Sequence, residues 1–182
     1  MPNNAANVST GKPNLSGAIY TAPLASTLPT DATTALDAAF KGLGYSSEEG
    51  LTTGITRTSE AVKAWGGDTV LTPQTEYEET YSFTLIEPLR EEVLKVVYGD
   101  DNVTATSALR TVSSNSKELP KRAWVFDMLM SNGKARRIVI PSAKVTEIGD
   151  ITYVDNDPIG YELTITATPD SSGNCSYLYD EL

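Results

Sequence analysis

Carboxylates are the groups in this chain with the most chemical potential, because the chain has no histidine and only one cysteine. Without histidine, Ser-His and Cys-His catalysis within the chain are excluded, and so is the commonest imidazole metal ligand. The single thiol of Cys175 cannot form an intramolecular disulfide or a multi-cysteine metal site. A glycosidase that uses only a carboxylate pair remains conceivable. The candidate carboxylates are Glu76, Glu78 and Glu79 in one segment and Asp155 and Asp157 in another.

Both groups of carboxylates also have a simpler structural interpretation. Glu76 and Glu78 fall on the polar side of an alternating strand pattern, which favours a solvated face over a catalytic pair. The segment Asp155-Asn156-Asp157-Pro158 is typical of a β-turn. An EF-hand calcium loop starting there would need a bidentate Glu where Thr166 stands. The sequence therefore predicts no catalytic residue, no metal ligand and no cofactor.

Two further features could mediate binding. Trp65 precedes Gly66-Gly67, and an aromatic residue beside a glycine turn suits either a carbohydrate module or a contact at a fold or subunit boundary. A dense basic cluster lies near residue 135, where a solvated strand end is the default and pairing with a neighbour's carboxylates is favoured over DNA. The candidate inter-subunit contacts are Trp65, Lys134, Arg136 and Arg137.

The charge of the chain restricts its partners. It has 14 Lys and Arg against 24 Asp and Glu, and its net charge of −10 repels nucleic-acid phosphates. No stretch approaches the roughly 18 apolar residues that a membrane helix requires. The N-terminus lacks the basic start and apolar run of a secretory signal. We therefore expect an acidic protein that is made and assembled in the cytoplasm, with no membrane partner.

The chain is long enough for one domain with a sizeable core and appendages. Residues 1–16 have no hydrophobic period and predict a flexible N-terminal arm. Residues 17–170 form the predicted β-sandwich domain, and 171–182 the C-terminal tail. Within the domain, residues 45–74 have too few apolar side chains to cover both faces of a strand pair. They predict an extended hairpin or loop.

Periodicity predicts the main elements of the domain. Tyr77, Tyr81, Phe83 and Leu85 share one face of a strand, while Glu76, Glu78, Thr80, Ser82 and Thr84 share the other. A helix is expected over 88–98, with Leu89, Val93, Val96 and Val97 as its buried stripe. A shorter helix over 30–40 would have Thr30 or Asp31 as its N-cap and would end at Gly42 or Gly44.

The second half of the chain predicts further strands. Asn132-Gly133 predicts a type I′ hairpin turn between strands at 123–130 and 135–140. More strands are expected at 144–147, 150–154 and 160–168. The economical arrangement is an α+β, mainly β fold: a two-sheet sandwich or barrel-like domain with a flanking helix.

Seven segments, in this order, carry a family resemblance. They are Lys63-Ala64-Trp65-Gly66-Gly67-Asp68, Tyr81-Ser82-Phe83-Thr84-Leu85-Ile86-Glu87, Val97-Tyr98-Gly99-Asp100-Asp101-Asn102-Val103-Thr104, Lys117-Glu118-Leu119-Pro120, Trp124-Val125-Phe126-Asp127, Arg137-Ile138-Val139-Ile140-Pro141 and Pro158-Ile159-Gly160-Tyr161-Glu162. Together they resemble the major tail tube proteins of long-tailed, siphovirus-type phages, especially those of actinobacteria.

The resemblance implies a structural virion subunit and not an enzyme. It implies self-assembly into hexameric rings, stacking of the rings into a hollow tube, and DNA that transits the lumen without specific binding. Implied partners are the tape-measure protein, the tail terminator and baseplate proteins. In this setting Glu76 and Glu78 are the candidate lumen-facing residues, because carboxylates repel DNA. We expect the arm and residues 45–74 to make contacts within and between rings.

Other functions remain open from the residues alone. One alternative is another sandwich-type phage subunit, such as a decoration protein, a tail terminator or a baseplate hub. Less favoured are a carbohydrate-binding module, which would need an aromatic platform, and a carboxylate glycosidase, which would need a deep cleft.

Overall fold

The computed structural model describes residues 3–14 and 17–182. In these residues the fold is mainly β with one α-helix, which confirms the α+β, mainly β class. The elements are β1 (Gly11–Pro13), β2 (Ile19–Pro23), β3 (Lys41–Gly42), β4 (Ser46–Ser59), β5 (Val62–Lys63), β6 (Thr69–Leu71), β7 (Gln74–Leu85), α1 (Glu91–Tyr98), β8 (Val103–Ala105), β9 (Arg110–Val112), β10 (Arg122–Met130), β11 (Ala135–Ile148), β12 (Tyr161–Ala167) and β13 (Tyr177–Asp180). Short 3₁₀ turns lie at Ala5–Asn7 and Asp100–Asn102.

Nine of the described strands belong to one antiparallel sheet. Its order is β3-β2-β10-β11-β12-β7-β4, with β1 also paired to β10 and β13 also paired to β11. The remaining strands form two small hairpins, β5-β6 and β8-β9.

The large sheet curls so that β7 packs against β10. The rings of Phe83 on β7 and Phe126 on β10 lie 5.5 Å apart, and those of Tyr81 and Phe126 lie 5.8 Å apart. In a flat sheet these strands would be about 14 Å apart, since neighbouring strands are spaced by about 4.8 Å. The two packed layers are therefore parts of one curled sheet, which corresponds to the barrel-like form of the predicted fold.

Helix α1 closes one opening of this curled sheet. It begins at Glu91, three residues after the predicted start, and ends at Gly99, whose φ of +96° favours glycine. Leu89 precedes the helix and is exposed, so its predicted place in the buried stripe is wrong. The buried stripe consists of Val93, Leu94, Val96 and Val97.

The helix predicted over 30–40 does not form. Asp31 does cap the chain locally, since its carboxylate accepts hydrogen bonds from the backbone N–H groups of Thr33 and Thr34 at 2.8 and 2.6 Å. However, the carbonyls of Asp31 and Thr34 accept hydrogen bonds from the guanidinium of Arg137 at 3.1 and 2.8 Å. Those carbonyls are thereby used by a tertiary contact and not by helical i→i+4 bonding.

The turn between β10 and β11 is a hairpin, but not of the predicted type. The N–H of Gly133 bonds the carbonyl of Met130 at 2.9 Å, and the N–H of Met130 bonds the carbonyl of Lys134 at 2.8 Å. Only Gly133 has positive φ, whereas a type I′ turn needs two such residues. The connection is therefore a three-residue loop, in which the Asn132 side chain accepts the N–H of Lys134 at 3.0 Å.

Three other boundaries differ from the prediction. β11 is continuous through Pro141, because the chain bulges there and no ladder N–H is required of proline. Residues 150–154 contain no strand. Both predicted appendages add strands to the sheet, β1 from the arm and β13 from the tail, while the division of the chain into these segments stays a prediction. Leu15 and Ser16 of the arm, like Met1 and Pro2, lie outside the described residues.

Candidate functional site

A long hairpin formed by β4 and β7 extends from the packed body. The strands pair from Ser46 and Leu85 out to Ser59 and Gln74. Along β7, residues 79–85 alternate between buried and half-buried, whereas residues 74–78 are exposed on both faces. We call residues 54–79 the projecting hairpin. No described element covers its apolar side chains, so Ile55 is 59% exposed.

The tip of the projecting hairpin is apolar and uncovered. Val62 and Leu71 are paired across β5 and β6, and both are exposed, as is Val70. Trp65 lies in the turn between these strands and is fully exposed. Gly66 and Gly67 adopt φ of +120° and +98°, which permits the tight turn that presents the indole. The sequence-predicted contact residue Trp65 is therefore the outermost large apolar group of the hairpin.

One side of the sheet is lined by hydroxyls and carboxylates across four strands. We call this surface the polar face. Hydroxyl pairs cross between strands: Ser82 lies 2.9 Å from Thr164, and Thr146 lies 2.9 Å from Thr166. Glu76 and Glu78 are exposed on this face, opposite Thr58 and Thr56. By strand register the polar face comprises Thr52, Thr56 and Thr58 on β4, Glu76, Glu78, Thr80, Ser82 and Thr84 on β7, Glu162, Thr164 and Thr166 on β12, and Lys144, Thr146 and Glu147 on β11.

The four strands beneath the polar face end in two open edges. β4 is the last strand of the sheet order, so in the described chain its outer edge has no strand partner. β10 pairs with β11 only as far as Ala143, which leaves residues 144–148 paired with β12 alone. Open edges present unpaired N–H and C=O groups that can accept another strand. The described subunit therefore has two such edges on one four-stranded sheet.

The basic cluster is occupied mostly by its own chain. Arg137 is 4% exposed, and its guanidinium donates two hydrogen bonds to the carboxylate of Asp127 at 2.6 and 2.9 Å. Arg136 forms a bidentate pair with Asp180 on β13 at 2.6 and 2.7 Å. In the described subunit both arginines therefore pair with carboxylates of their own chain, and their contact with a neighbouring subunit stays a prediction. Lys134 is half-buried in the hairpin turn.

The candidate catalytic carboxylates named above, apart from Glu79, are exposed at the surface. Glu76 and Glu78 stand on an open strand face, and Asp155 and Asp157 are exposed in the connection between β11 and β12. In the described part of the chain, no three His, Cys, Asp or Glu side chains are grouped closely enough to hold a metal ion. A glycosidase instead holds two carboxyl groups on either side of a bound sugar in a concave site.

Glu79, which the sequence offered only as a candidate catalytic carboxylate, is buried. It is 4% exposed, and its carboxylate accepts hydrogen bonds from the hydroxyls of Tyr77 (2.8 Å), Tyr81 and Ser176. Burial alone would raise the pKa of Glu79, but the three hydroxyl donors outweigh it and hold the pKa below its ordinary value. The signal for burial was present in the alternation, since Glu79 falls on the same face as Tyr81 and Phe83.

Comparison with known proteins identifies the family. The family of phage tail tube proteins has a model that matches residues 1–179. The chain therefore belongs to the phage tail tube protein family, as the resemblance indicated. No curated protein matches it significantly. Family membership makes this chain a structural component of the virion, one that assembles with copies of itself into a tube.

α1 has eight residues, and no helix in residues 3–14 and 17–182 has the length and apolar character to cross a membrane.

Proposed function

We propose that this protein polymerises as hexameric rings that stack into the hollow tail tube of a siphovirus-type phage, through which DNA passes. The observation that carries the proposal is the four-stranded sheet of β11, β12, β7 and β4, which has a polar face and an open edge at each side. The ring size and the phage type rest on the resemblance to actinobacteriophage tail tube proteins.

The two open edges are complementary in direction. Each step from β11 to β12, β7 and β4 is antiparallel, so β4 and β11 run in opposite directions. β4 of one subunit can therefore add to residues 144–148 of the next as an antiparallel partner. Such a head-to-tail contact generates a closed ring when the rotation between subunits closes. Closure would cover both of these open edges, which otherwise are prone to uncontrolled pairing.

The resulting barrel would be wide enough for a conduit. Four strands from each of six subunits make 24 strands. At about 4.8 Å between strands, the barrel would be roughly 115 Å in circumference and about 35 Å across at the backbone. Closed barrels of 16 to 18 strands already leave an aqueous channel. A barrel of 24 strands therefore leaves a lumen that a DNA duplex can traverse.

The polar face suits the lining of this lumen. It carries four carboxylates, Glu76, Glu78, Glu147 and Glu162, against the single ammonium of Lys144. The remaining side chains are mostly hydroxyls, which hydrogen-bond one another across strands. A wall of this composition repels phosphates and offers few cations that could hold DNA. We therefore assign Glu76 and Glu78 to the lumen.

The apolar tip suits contacts between rings. Trp65 and its neighbours expose apolar surface that nothing in the described chain covers. Exposed apolar surface of this kind marks interaction sites. We assign the tip and the N-terminal arm to contacts with other copies, and we place Lys134 and Arg136 at the periphery of such contacts. The tape-measure protein, the tail terminator and baseplate proteins complete the proposed partners, with assembly in the host cytoplasm.

Electron microscopy of the purified protein tests the proposal directly. A tube subunit gives long hollow cylinders with sixfold rings, whereas a decoration protein, a tail terminator or a baseplate hub gives single particles or single rings. Absence of cylinders under all assembly conditions, including in the presence of the tape-measure protein, would overturn the proposal.

A double charge reversal tests the lumen assignment. Replacing Glu76 and Glu78 by Lys changes each subunit by four charge units, and the ring multiplies this into a basic collar. Such a collar binds phosphates by counterion release. Tubes should therefore still form, but the variant should retain DNA more strongly than wild type. Added salt should weaken this retention steeply. DNA ejection from assembled particles at two salt concentrations measures this. Asp37→Lys with Asp101→Lys is the matched control, because it adds the same charge outside the four strands. Equal ejection rates for both double variants would place Glu76 and Glu78 elsewhere.

A further inference from the structure

The root of the projecting hairpin contains an unusual buried charge. Among the described residues, four polar or charged side chains are buried: Thr21, Glu79, Asp127 and Arg137. Asp127 and Arg137 pair with each other, and Thr21 donates to the carbonyl of Ala123. Glu79 has no Lys or Arg ion-pair partner within the described chain, and hydroxyls alone surround its carboxylate. A buried carboxylate without a cation is costly unless hydrogen bonds compensate it.

Glu79 lies where the projecting hairpin leaves the packed body. It is the buried residue of β7 nearest to the tip, because residues 74–78 beyond it are exposed. Tyr77 donates from the projecting side and Tyr81 from the side of the body. A two-stranded ribbon with nothing packed on either face has little stability of its own. Its direction is therefore decided by what holds its root.

The third donor comes from a distant part of the chain. Ser176 lies just before β13, and β13 is fixed to β11 through residues 136–139. The turn before it is closed by Asp170, which accepts the N–H groups of Ser172 and Asn174 at 2.8 and 3.0 Å. The hydroxyl of Ser176 thus links a fixed part of the body to the hairpin root through Glu79.

The neighbours of Glu79 leave few other fixed points. Cys175 is half-buried beside Ser176, and Ile55, directly across from Glu79 on β4, is exposed. Arg57 lies over the ring of Tyr77 at 4.5 Å and donates to Gln74, so it stabilises the ribbon and not its attachment. Glu79 and its three donors are consequently the polar connection between the hairpin and the C-terminal segment.

We propose that Glu79 is a positioning residue, which locks the projecting hairpin to the C-terminal segment through Ser176 and thereby presets the direction of the hairpin before subunits meet. An ionised carboxylate can accept hydrogen bonds from all three hydroxyls on its two oxygen atoms. In a neutral amide only the oxygen accepts, because the nitrogen is a donor. Presetting the direction lowers the entropy cost of bringing the tip onto another subunit. The consequence for assembly rests on the proposed tube function, whereas the consequence for hairpin orientation does not.

The orientation can be measured on the folded monomer. Spin labels on Asp68→Cys at the tip and Glu162→Cys on β12, in a Cys175→Ser background, report the tip-to-body distance distribution by double electron–electron resonance. We expect Glu79→Gln and Ser176→Ala to broaden this distribution, while the circular dichroism of the body is unchanged. Glu78→Gln is the matched control, because it removes the same charge from the exposed neighbouring position. A distribution for Glu79→Gln as narrow as that of Glu78→Gln would overturn the proposal.

Two further measurements keep the test decisive. If Glu79→Gln fails to fold, Ser176→Ala and Tyr77→Phe each remove one donor while leaving the carboxylate in place, and an unchanged distribution in both overturns the lock. In tube assembly, Ser176→Ala removes one charge-assisted hydrogen bond to Glu79. Nucleation of tubes from this variant should be about tenfold slower than from Glu78→Gln. A wild-type protein that never forms tubes would refute the tube function, while the monomer distances still decide the role of Glu79.

Discussion

The outer half of β7, residues 74–78, and the inner half, residues 79–85, differ in burial although they belong to one strand. One face of the strand carries Tyr77 in the outer half and Tyr81, Phe83 and Leu85 in the inner half, while Glu76, Glu78, Thr80, Ser82 and Thr84 lie on the other face. The inner half packs into the core with β10 and α1, whereas Tyr77 in the outer half is contacted within the hairpin, by Arg57 and Glu79, and stays 39% exposed. Alternation therefore predicts a strand and its facing, but not whether the apolar face finds a cover in its own subunit.

The largest contrast between the halves should appear in stability. Leu85 is completely buried, so Leu85→Ala should lower the free energy of unfolding by about 2–5 kcal/mol. Ile55→Ala, on β4 of the projecting hairpin, should cost less than about 0.5 kcal/mol, as is usual for exposed positions. Thr84→Ala, on the polar face beside Leu85, is the facing control and should also have a small effect. Urea denaturation of the monomers measures all three. Equal losses for Leu85→Ala and Ile55→Ala would show that the projecting hairpin is packed in solution.

Glu79, at the boundary between the two halves of β7, should have a smaller effect on the free energy of unfolding, and this effect should depend on pH. The folded-state pKa of Glu79 lies below its ordinary value of 4.5, because burial is outweighed by three hydroxyl donors. The stability that this shift provides is complete above the ordinary value and is lost as pH falls through the folded pKa. Unfolding free energy measured at a series of pH values below 4.5 should therefore fall less steeply in Glu79→Gln than in wild type. A Glu79→Gln curve parallel to that of wild type would contradict the assignment.

Deleting residues 1–16 should lower the stability of the monomer only slightly and should strongly reduce tube formation. β1 contributes three exposed residues that pair with Met128, Leu129 and Met130, so its removal should lower stability by no more than about 1 kcal/mol. The larger loss is expected in tube formation, because the arm is assigned to contacts with other copies. Circular dichroism and electron microscopy of the truncated chain separate the two effects. Loss of native strand signal would instead place the arm in the core.

Trp65→Ala should leave monomer stability unchanged, since the indole makes no buried contact. It should nevertheless weaken tube formation, because truncation of a central aromatic at an interface commonly costs 2 kcal/mol or more. Tyr153→Ala, which removes another exposed ring outside the hairpin, is the matched control. Sedimentation of tubes against soluble protein gives the readout. Tubes of wild-type yield from Trp65→Ala would remove the tip from the proposed contacts.

Local patterns determined much of this protein. The facing of β7, the C-terminal end of α1 at Gly99 and the reversal near Asn132-Gly133 followed from periodicity and turn chemistry alone. The resemblance of seven sequence segments indicated the family, which the match over residues 1–179 confirms. Each of these features depends on residues near one another in the sequence, where propensity and alternation act directly.

Tertiary contacts decided the rest. Asp31 has the residue type and the local bonds of a helix cap, but Arg137, 106 residues away in sequence, takes the carbonyls that the helix would need. Glu79 reads as one of several strand carboxylates, and only Ser176, 97 residues away, reveals why it can be buried. A sequence pattern records which groups seek partners at short range. The curled sheet decides which distant groups supply them, because long-range partners are chosen by packing and not by local propensity.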